Sequence, residues 1–144
     1  FDGQMIMEPY YEKFPDVLKN ALKENKVTFP TELQKRYKDI DVVYRGIRLV
    51  KGKKESIDRT DFLSQAERKL PDTDYEDIGS YSCSCFEDLE ELELAFKLPR
   101  KNKAIAIGRI REINGPIWKN KEDSHIHWFL YKDANAVEDF HIKR

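Results

Sequence analysis

Three segments of the sequence place chemically useful side chains within short β-strand patterns. The first is Tyr44-Arg45-Gly46, where a permanently charged guanidinium offers a planar fork of donors that suits phosphate oxygens. Gly46 has no side chain, so a ligand could come close to the strand backbone there. Taken alone, the triplet also fits an edge arginine that pairs with a carboxylate. The segment is therefore a candidate anion site.

The second segment carries a hydroxyl at every second position, on Ser80, Ser82 and Ser84. On a strand these side chains share one face, and apolar residues would occupy that face if it were in the core. The face is therefore expected to line a cleft or to be an ordinary solvated surface. No Gly-x-Ser-x-Gly turn surrounds the serines, so positioning a ligand is a better role for them than nucleophilic attack.

The third segment holds two histidines, His125 and His127, on one face of a predicted strand, and His141 follows on the next strand. Imidazole is a common zinc ligand, but the sequence fixes no carboxylate beside these groups, so the metal signature is weak. No metal site is predicted. Acid–base use is favoured instead, because the ordinary pKa of histidine is about 6.5.

Two cysteines, Cys83 and Cys85, lie on the same predicted strand as the serines. One residue apart on a strand, they point to the same face and are poorly placed to form a disulfide with each other. Two thiols alone cannot build a structural zinc site. We expect them to be buried as small apolar groups, in a protein of the reducing cytoplasm.

Short helices and strands must position these groups, and most of them can be predicted from apolar spacing. The predicted helices are at 16–25, at 30–37, from Asp58 or Thr60 to about 66, and at 87–97. The predicted strands are at 42–50, 80–86, 103–111, 124–131 and 137–142. An acidic loop at 71–79 and a turn at 114–116 lie between them.

Length and composition indicate one folded domain over 1–144. The chain has 144 residues, 26 of them basic and 27 acidic, and a formal net charge of −1, so it lacks the overall basic field of a dedicated nucleic-acid binder. Its apolar runs are far shorter than the roughly 20 residues that span a bilayer, and no membrane segment or signal peptide is expected. A helical part at 1–40 precedes a run of strands within 41–144, which favours an α+β domain with a mixed or antiparallel β core.

Taken in order, the three segments resemble the arginine–serine–glutamate class of the ADP-ribosyltransferase superfamily. In that class an aromatic-Arg-Gly strand precedes a Ser-Thr-Ser-type strand that leads directly into a helix, and a Glu-x-Glu strand follows. The counterparts here are Tyr44-Arg45-Gly46, then Ser82-Cys83-Ser84 before the helix that contains Ala95 and Phe96, and then His125-Ile126-His127. The resemblance covers residues 41–144 and implies the fold of that family for them.

The resemblance also implies NAD as the substrate. Arg45 would hold the phosphates of NAD, with Tyr44 and Gly46 beside it in the binding strand. Ser82, with Ser84 close by, would steady the nicotinamide end of the site.

The catalytic position departs from the family pattern. His127 stands where the family has its catalytic glutamate, and His125 stands where it has the accompanying acidic residue or glutamine. That glutamate bonds a ribose hydroxyl and stabilises a cationic transition state. A neutral imidazole can accept the hydrogen bond but supplies no charge, and a protonated one would oppose the cation. Activity through His127 would therefore need the neutral form and rise with pH through about 6.5.

Three functions fit these observations. The first is an NAD-using ADP-ribosyltransferase-like enzyme of a bacterium or phage that modifies a protein or nucleic-acid target. The second is a metal-independent ribonuclease toxin in which His125 and His127 act as base and acid, while Arg45 and Tyr44 clamp the phosphate. The third is a non-catalytic binding or regulatory domain. The first two require Arg45, Ser82 and His127 to meet in one cleft.

Overall fold

One antiparallel sheet of six strands organises the fold in a computed structural model that describes residues 10–49 and 56–143. The strands are β1 (Ile40–Arg48), β2 (Cys83–Phe86), β3 (Lys103–Ile110), β4 (Ile117–Lys119), β5 (His125–Trp128) and β6 (Phe140–Ile142). Their order in the sheet is β4-β5-β2-β1-β3-β6. The helices are α1 (Asp16–Lys23), α2 (Gln65–Arg68) and α3 (Leu89–Ala95). Short 3-10 turns lie at Arg59–Phe62, Ile78–Tyr81, Glu112–Asn114 and Val137–Asp139.

The predicted α+β class is confirmed as a single α+β domain with an antiparallel sheet. Helix α1 forms where its apolar spacing places it: it starts after Pro15 and buries Leu18, Ala21 and Leu22. Proline suits this position because its fixed φ and missing N–H cost nothing at a helix start. The helix packs into an apolar cluster with Phe129, beside the end of β5.

The two faces of the sheet differ in chemistry because side chains alternate along each strand. One face holds Cys85 opposite Ile126 and Cys83 opposite Trp128, and it packs into the core. The other face holds Ser84 opposite His127. The register therefore puts the polar candidates of β2 and β5 on one side of the sheet, away from the main core.

The sheet is weakly paired between its two central strands. β1 pairs with β3 along most of its length, but it pairs with β2 only at Tyr44 opposite Phe86. Next to that pair, the Arg45 guanidinium donates a hydrogen bond to the Ser84 carbonyl oxygen (2.7 Å). A side chain thus continues the link between the strands where the backbone pairing ends.

The helix predicted at 30–37 is wrong. Gln34 instead exchanges two backbone hydrogen bonds with Ile117 (2.7 and 3.0 Å) in an isolated β-bridge, and the residues on either side of it form turns and bends. A helix of two turns is marginal by itself in water, and this long-range bridge satisfies the backbone in its place. Strand β4 was not predicted either, because its three residues give too short a pattern to recognise.

The continuous helix predicted from Asp58 to about residue 66 is also wrong, because the structure has two separate short elements there. Asp58 does cap a turn, but only the 3-10 turn Arg59–Phe62, and Ser64 then caps the separate helix α2. Each cap is a reciprocal capping box, with Asp61 and Glu67 as the respective partners. Two start signals six residues apart break the segment into two short pieces, although Phe62 and Ala66 are buried as expected.

Several predicted strands are shorter in the structure. Ser80 lies in the 3-10 turn Ile78–Tyr81, so β2 begins only at Cys83, and the predicted strand at 137–142 is reduced to Phe140–Ile142. The predicted end of the first strand at Val50 falls outside the described residues. Within the described part of the chain, no helix has the length and apolar content needed to cross a membrane.

Candidate functional site

A cleft of ≈ 560 Å³ opens next to the gap between β1 and β2. It is lined by the polar face of β2 and β5 and by both faces of β1, because Gly46 and Arg48 lie on the polar face whereas Arg45 alternates with Val43 and Ile47 on the buried one. Most of the residues singled out from the sequence line it, whereas Tyr44 does not. Arg45, Ser82 and His127 therefore share one cavity, as two of the three candidate functions require. The lining residues predicted from the sequence are Arg45, Gly46, Ser80, Ser82, Ser84, His125 and His127.

The hydrogen bonds of Ser82 fix the tautomer of His127. The Ser82 hydroxyl donates its single proton to the Gly79 carbonyl oxygen (2.8 Å) and lies 3.2 Å from His127 Nδ1. Because that proton is already used, Nδ1 must carry the hydrogen and donate it to the serine oxygen. Neutral His127 then has its lone pair on Nε2, where a ligand hydroxyl could donate to it.

The two imidazoles belong to a row of four stacked or tilted rings across β2, β5 and β4. Phe86 stacks on His125 (4.7 Å between centroids, 11°), and His125 lies 4.2 Å from His127. Trp118 stacks on His127 at 4.7 Å and completes the row. His125 Nε2 is also 3.0 Å from the Ser84 hydroxyl oxygen. These contacts hold both imidazoles in fixed orientations.

Both histidines are neutral near physiological pH. Burial, and then repulsion by His125, lowers the pKa of His127 to about 4, although Asp77 and Asp123 act in the opposite direction. Burial also lowers the pKa of His125. The expectation that activity would rise through the ordinary histidine pKa of about 6.5 is therefore revised, because His127 stays neutral down to much lower pH.

This shift predicts a pH-dependent stability. Unfolded His127 takes up a proton near pH 6.5, whereas the folded residue does so only near pH 4. The contribution of neutral His127 to the free energy of unfolding is therefore fully present above pH 6.5, and it is lost progressively as pH falls toward 4. Urea unfolding between pH 7.5 and 5 should show the decline, and His127→Gln should reduce its slope. His141→Gln, at an exposed position on β6, is the matched control and should leave the slope unchanged.

Arg45 is buried and orders the structure around the cleft. Its side chain is 8% exposed, and it donates to the carbonyl oxygens of Asp61 (2.8 Å) and Ser84 (2.7 Å). The alternative of an edge arginine is wrong, because β1 lies between β2 and β3 in the sheet. Among the described residues, no carboxylate forms an ion pair with Arg45. A guanidinium has five N–H donors, so Arg45 keeps donors for a ligand.

Two further arginines line the cleft that the sequence analysis did not single out. Arg68 donates to the carbonyl oxygens of Leu63 (3.3 Å) and Thr60 (2.6 Å). Arg48 is exposed and lies 5.3 Å from the centre of the Phe96 ring. Burial and the nearby Arg45 lower the pKa of Arg68, a sign that the guanidinium groups repel one another. Arg48 could have been found, since it follows Gly46 at the spacing of one strand face.

Gly46 has a packing role that differs from the one expected. A Cβ on this residue would lie 2.4–2.7 Å from three ring atoms of Phe96. The bare backbone therefore lets the end of helix α3 approach β1, although Gly46 still lines the cleft.

The remaining candidates lie elsewhere. His141 is on β6, which forms the edge of the sheet farthest from β4 and β5. Cys83 and Cys85 are buried free thiols, as expected from their spacing. Asp139, the nearest acidic neighbour of β6, forms a two-point ion pair with Arg111 (2.8 and 2.9 Å). Among the described residues, no group of three or more possible ligands could hold a metal ion.

No protein-family model, curated protein or solved structure matches this chain.

Proposed function

We propose that the cleft binds NAD as a substrate and that the chain is an ADP-ribosyltransferase-like protein. The observation that supports this most is the meeting of Arg45, Ser82 and His127 in one cavity. They come from three different strand regions, and the resemblance gives each a role toward the same ligand.

The charges of the cleft suit a dinucleotide. Arg45, Arg48 and Arg68 line it, and none of the three has an ion-pair partner among the described residues. Two of them are held by backbone carbonyl oxygens, which fix the guanidinium orientation without neutralising its charge. Positively charged donors held in place in this way favour a phosphate group, and above all a pyrophosphate with its two charges.

The state of His127 is compatible with the chemistry of NAD. In ADP-ribosyl transfer, the bond between ribose C1′ and the nicotinamide nitrogen breaks, its electron pair neutralises the ring, and the nucleophile of the target bonds to C1′. The Nε2 lone pair of His127 would accept a hydrogen bond from a ribose hydroxyl. Because the imidazole is neutral, it would not repel the positive charge that develops on the sugar.

The ribonuclease alternative is less well supported. That reaction needs one protonated and one neutral imidazole at the working pH, and the pKa values of both His125 and His127 are lowered. A non-catalytic binding or regulatory domain remains the second candidate, and we propose NAD as its ligand as well, because by the resemblance a neutral imidazole stands where the family has its glutamate. Both retained candidates bind NAD. The enzyme would in addition transfer the ADP-ribosyl group of NAD to a protein or nucleic-acid target.

Calorimetric titration with NAD tests the proposal. Arg48→Ala removes an exposed cleft cation that has no hydrogen-bond partner among the described residues, so the fold should tolerate it. We expect NAD affinity to fall about three- to tenfold, and the difference to shrink at high salt. Arg36→Ala removes an exposed arginine that does not line the cleft and should bind as the wild type does. Absence of NAD binding by folded wild-type protein would contradict the proposal.

A further inference from the structure

The cleft contains an acidic residue that neither the sequence motifs nor the proposed function use. Asp77 is the one acidic side chain among the described residues that line the cleft. Its Oδ1 accepts a hydrogen bond from the Gly79 backbone N–H (2.9 Å) and caps the 3-10 turn Ile78–Tyr81. The carboxylate is therefore exposed to the cleft yet held in one place.

Hydrogen bonds on either side of Gly79 connect Asp77 to His127. Asp77 accepts from the Gly79 N–H, the Gly79 carbonyl oxygen accepts from Ser82, and Ser82 accepts from His127 Nδ1. A Cβ built on Gly79 would lie 3.3 Å from Asp77 Oδ1 and 3.4 Å from His127 Cε1. Because both distances start from the same point, Asp77 Oδ1 and His127 Cε1 are no farther apart than their sum.

The positive and negative charges of the cleft are separated. The guanidinium groups of Arg45 and Arg68 bind backbone carbonyl oxygens, and Arg48 lies over the Phe96 ring. None of them forms an ion pair with Asp77. The cleft thus has a cationic part near Phe96 and an anionic point beside His127.

We propose that Asp77 pairs with the cationic nicotinamide ring of oxidised NAD, an inference that rests on the proposed function. This pairing makes the cleft prefer oxidised NAD over reduced NAD. Oxidised NAD has two negative phosphates, which would face the guanidinium groups, and one positive ring, which would face the Asp77 carboxylate. Reduced NAD has the same phosphates but a neutral ring. Asp77 is thus the residue that determines specificity for the oxidation state.

The test compares three ligands by calorimetry: oxidised NAD, reduced NAD and ADP-ribose, which lacks nicotinamide. Wild-type protein should bind the oxidised form about three- to tenfold more tightly than the reduced form, as expected for a partly exposed ion pair. Asp77→Asn keeps an oxygen that can cap Gly79 but removes the charge. It should abolish the preference and leave ADP-ribose affinity unchanged.

Asp74→Asn is the matched control. Asp74 lies in the same loop and accepts the Glu76 backbone N–H in the same local geometry (3.0 Å), but it does not line the cleft. It should keep the preference for oxidised NAD. Three results would overturn the role of Asp77: a preference that persists in Asp77→Asn, equal wild-type affinity for the two dinucleotides, or a parallel loss for all three ligands. The first two leave NAD binding intact, whereas wild-type protein that binds none of the ligands overturns the proposed function as well.

Discussion

Arg45→Ala is expected to lower both the stability of the fold and the affinity for NAD. The side chain is buried and donates to the carbonyl oxygens of Asp61 and Ser84. Its removal would leave both oxygens without this donor at the point where β1 and β2 stop pairing, so the free energy of unfolding should fall by about 2–4 kcal/mol. Loss of a charge-assisted contact to phosphate should also weaken NAD binding about ten- to a hundredfold.

The two effects of this substitution can be separated. Arg59 is a partly buried arginine that also donates to two carbonyl oxygens, those of Ala134 (3.0 Å) and Tyr131 (3.3 Å), but it does not line the cleft. Arg59→Ala should therefore lose stability in urea unfolding and keep its calorimetric affinity for NAD. Arg45→Lys preserves the charge without the fork of donors and should fall between wild type and Arg45→Ala. A folded Arg45→Ala protein with unchanged affinity would show that Arg45 is purely structural.

The part of the site that could be predicted from the sequence depends on local periodicity and on strand order. Alternation along a strand puts His125 and His127 on one face whatever the strand pairs with. The same alternation puts Cys83 and Cys85 on the opposite face from Ser84, and the structure buries both thiols. These predictions hold because they depend on neighbours two residues apart.

The part that could not be predicted depends on long-range contacts. The bridge between Gln34 and Ile117 replaces a helix that local spacing favours. The packing role of Gly46 becomes visible only once Phe96 is placed over it. The lowered pKa of His127 likewise results from burial by the surrounding structure, and no local pattern records that burial.

His127→Glu is expected to produce the largest gain in activity. The substitution places a carboxylate at the position where the resemblance expects one, in the same cleft as Arg45 and Ser82. Negative charge held beside the developing cation of the sugar should raise nicotinamide release from NAD about a hundredfold over wild type. The Ser82 hydroxyl would have to turn from the Gly79 carbonyl oxygen toward the carboxylate, which a single bond rotation allows.

The matched control for this gain is His125→Glu. It places the same charge on the same strand face, two residues away, where the nearest hydroxyl is that of Ser84 rather than Ser82. If negative charge at either histidine position of this strand face were enough, both variants would gain activity. If the position next to Ser82 matters, only His127→Glu should gain. His127→Gln keeps a polar group of similar reach and should retain NAD binding with lower turnover than wild type.

The pH profile of nicotinamide release then distinguishes an enzyme from a binding domain. If wild-type His127 works as a neutral acceptor, release should be nearly constant from pH 8 to pH 5 and fall only toward its pKa of about 4. If release instead fell with a midpoint near pH 6.5, the titrating group would not be a histidine whose pKa is lowered by burial, and the role given to His127 would be contradicted. Release that appears only in His127→Glu would mean that the cleft binds NAD without the charge needed to break its glycosidic bond. If wild type, His127→Gln and His127→Glu all bind NAD, fold normally and release no nicotinamide, then the cleft serves binding alone.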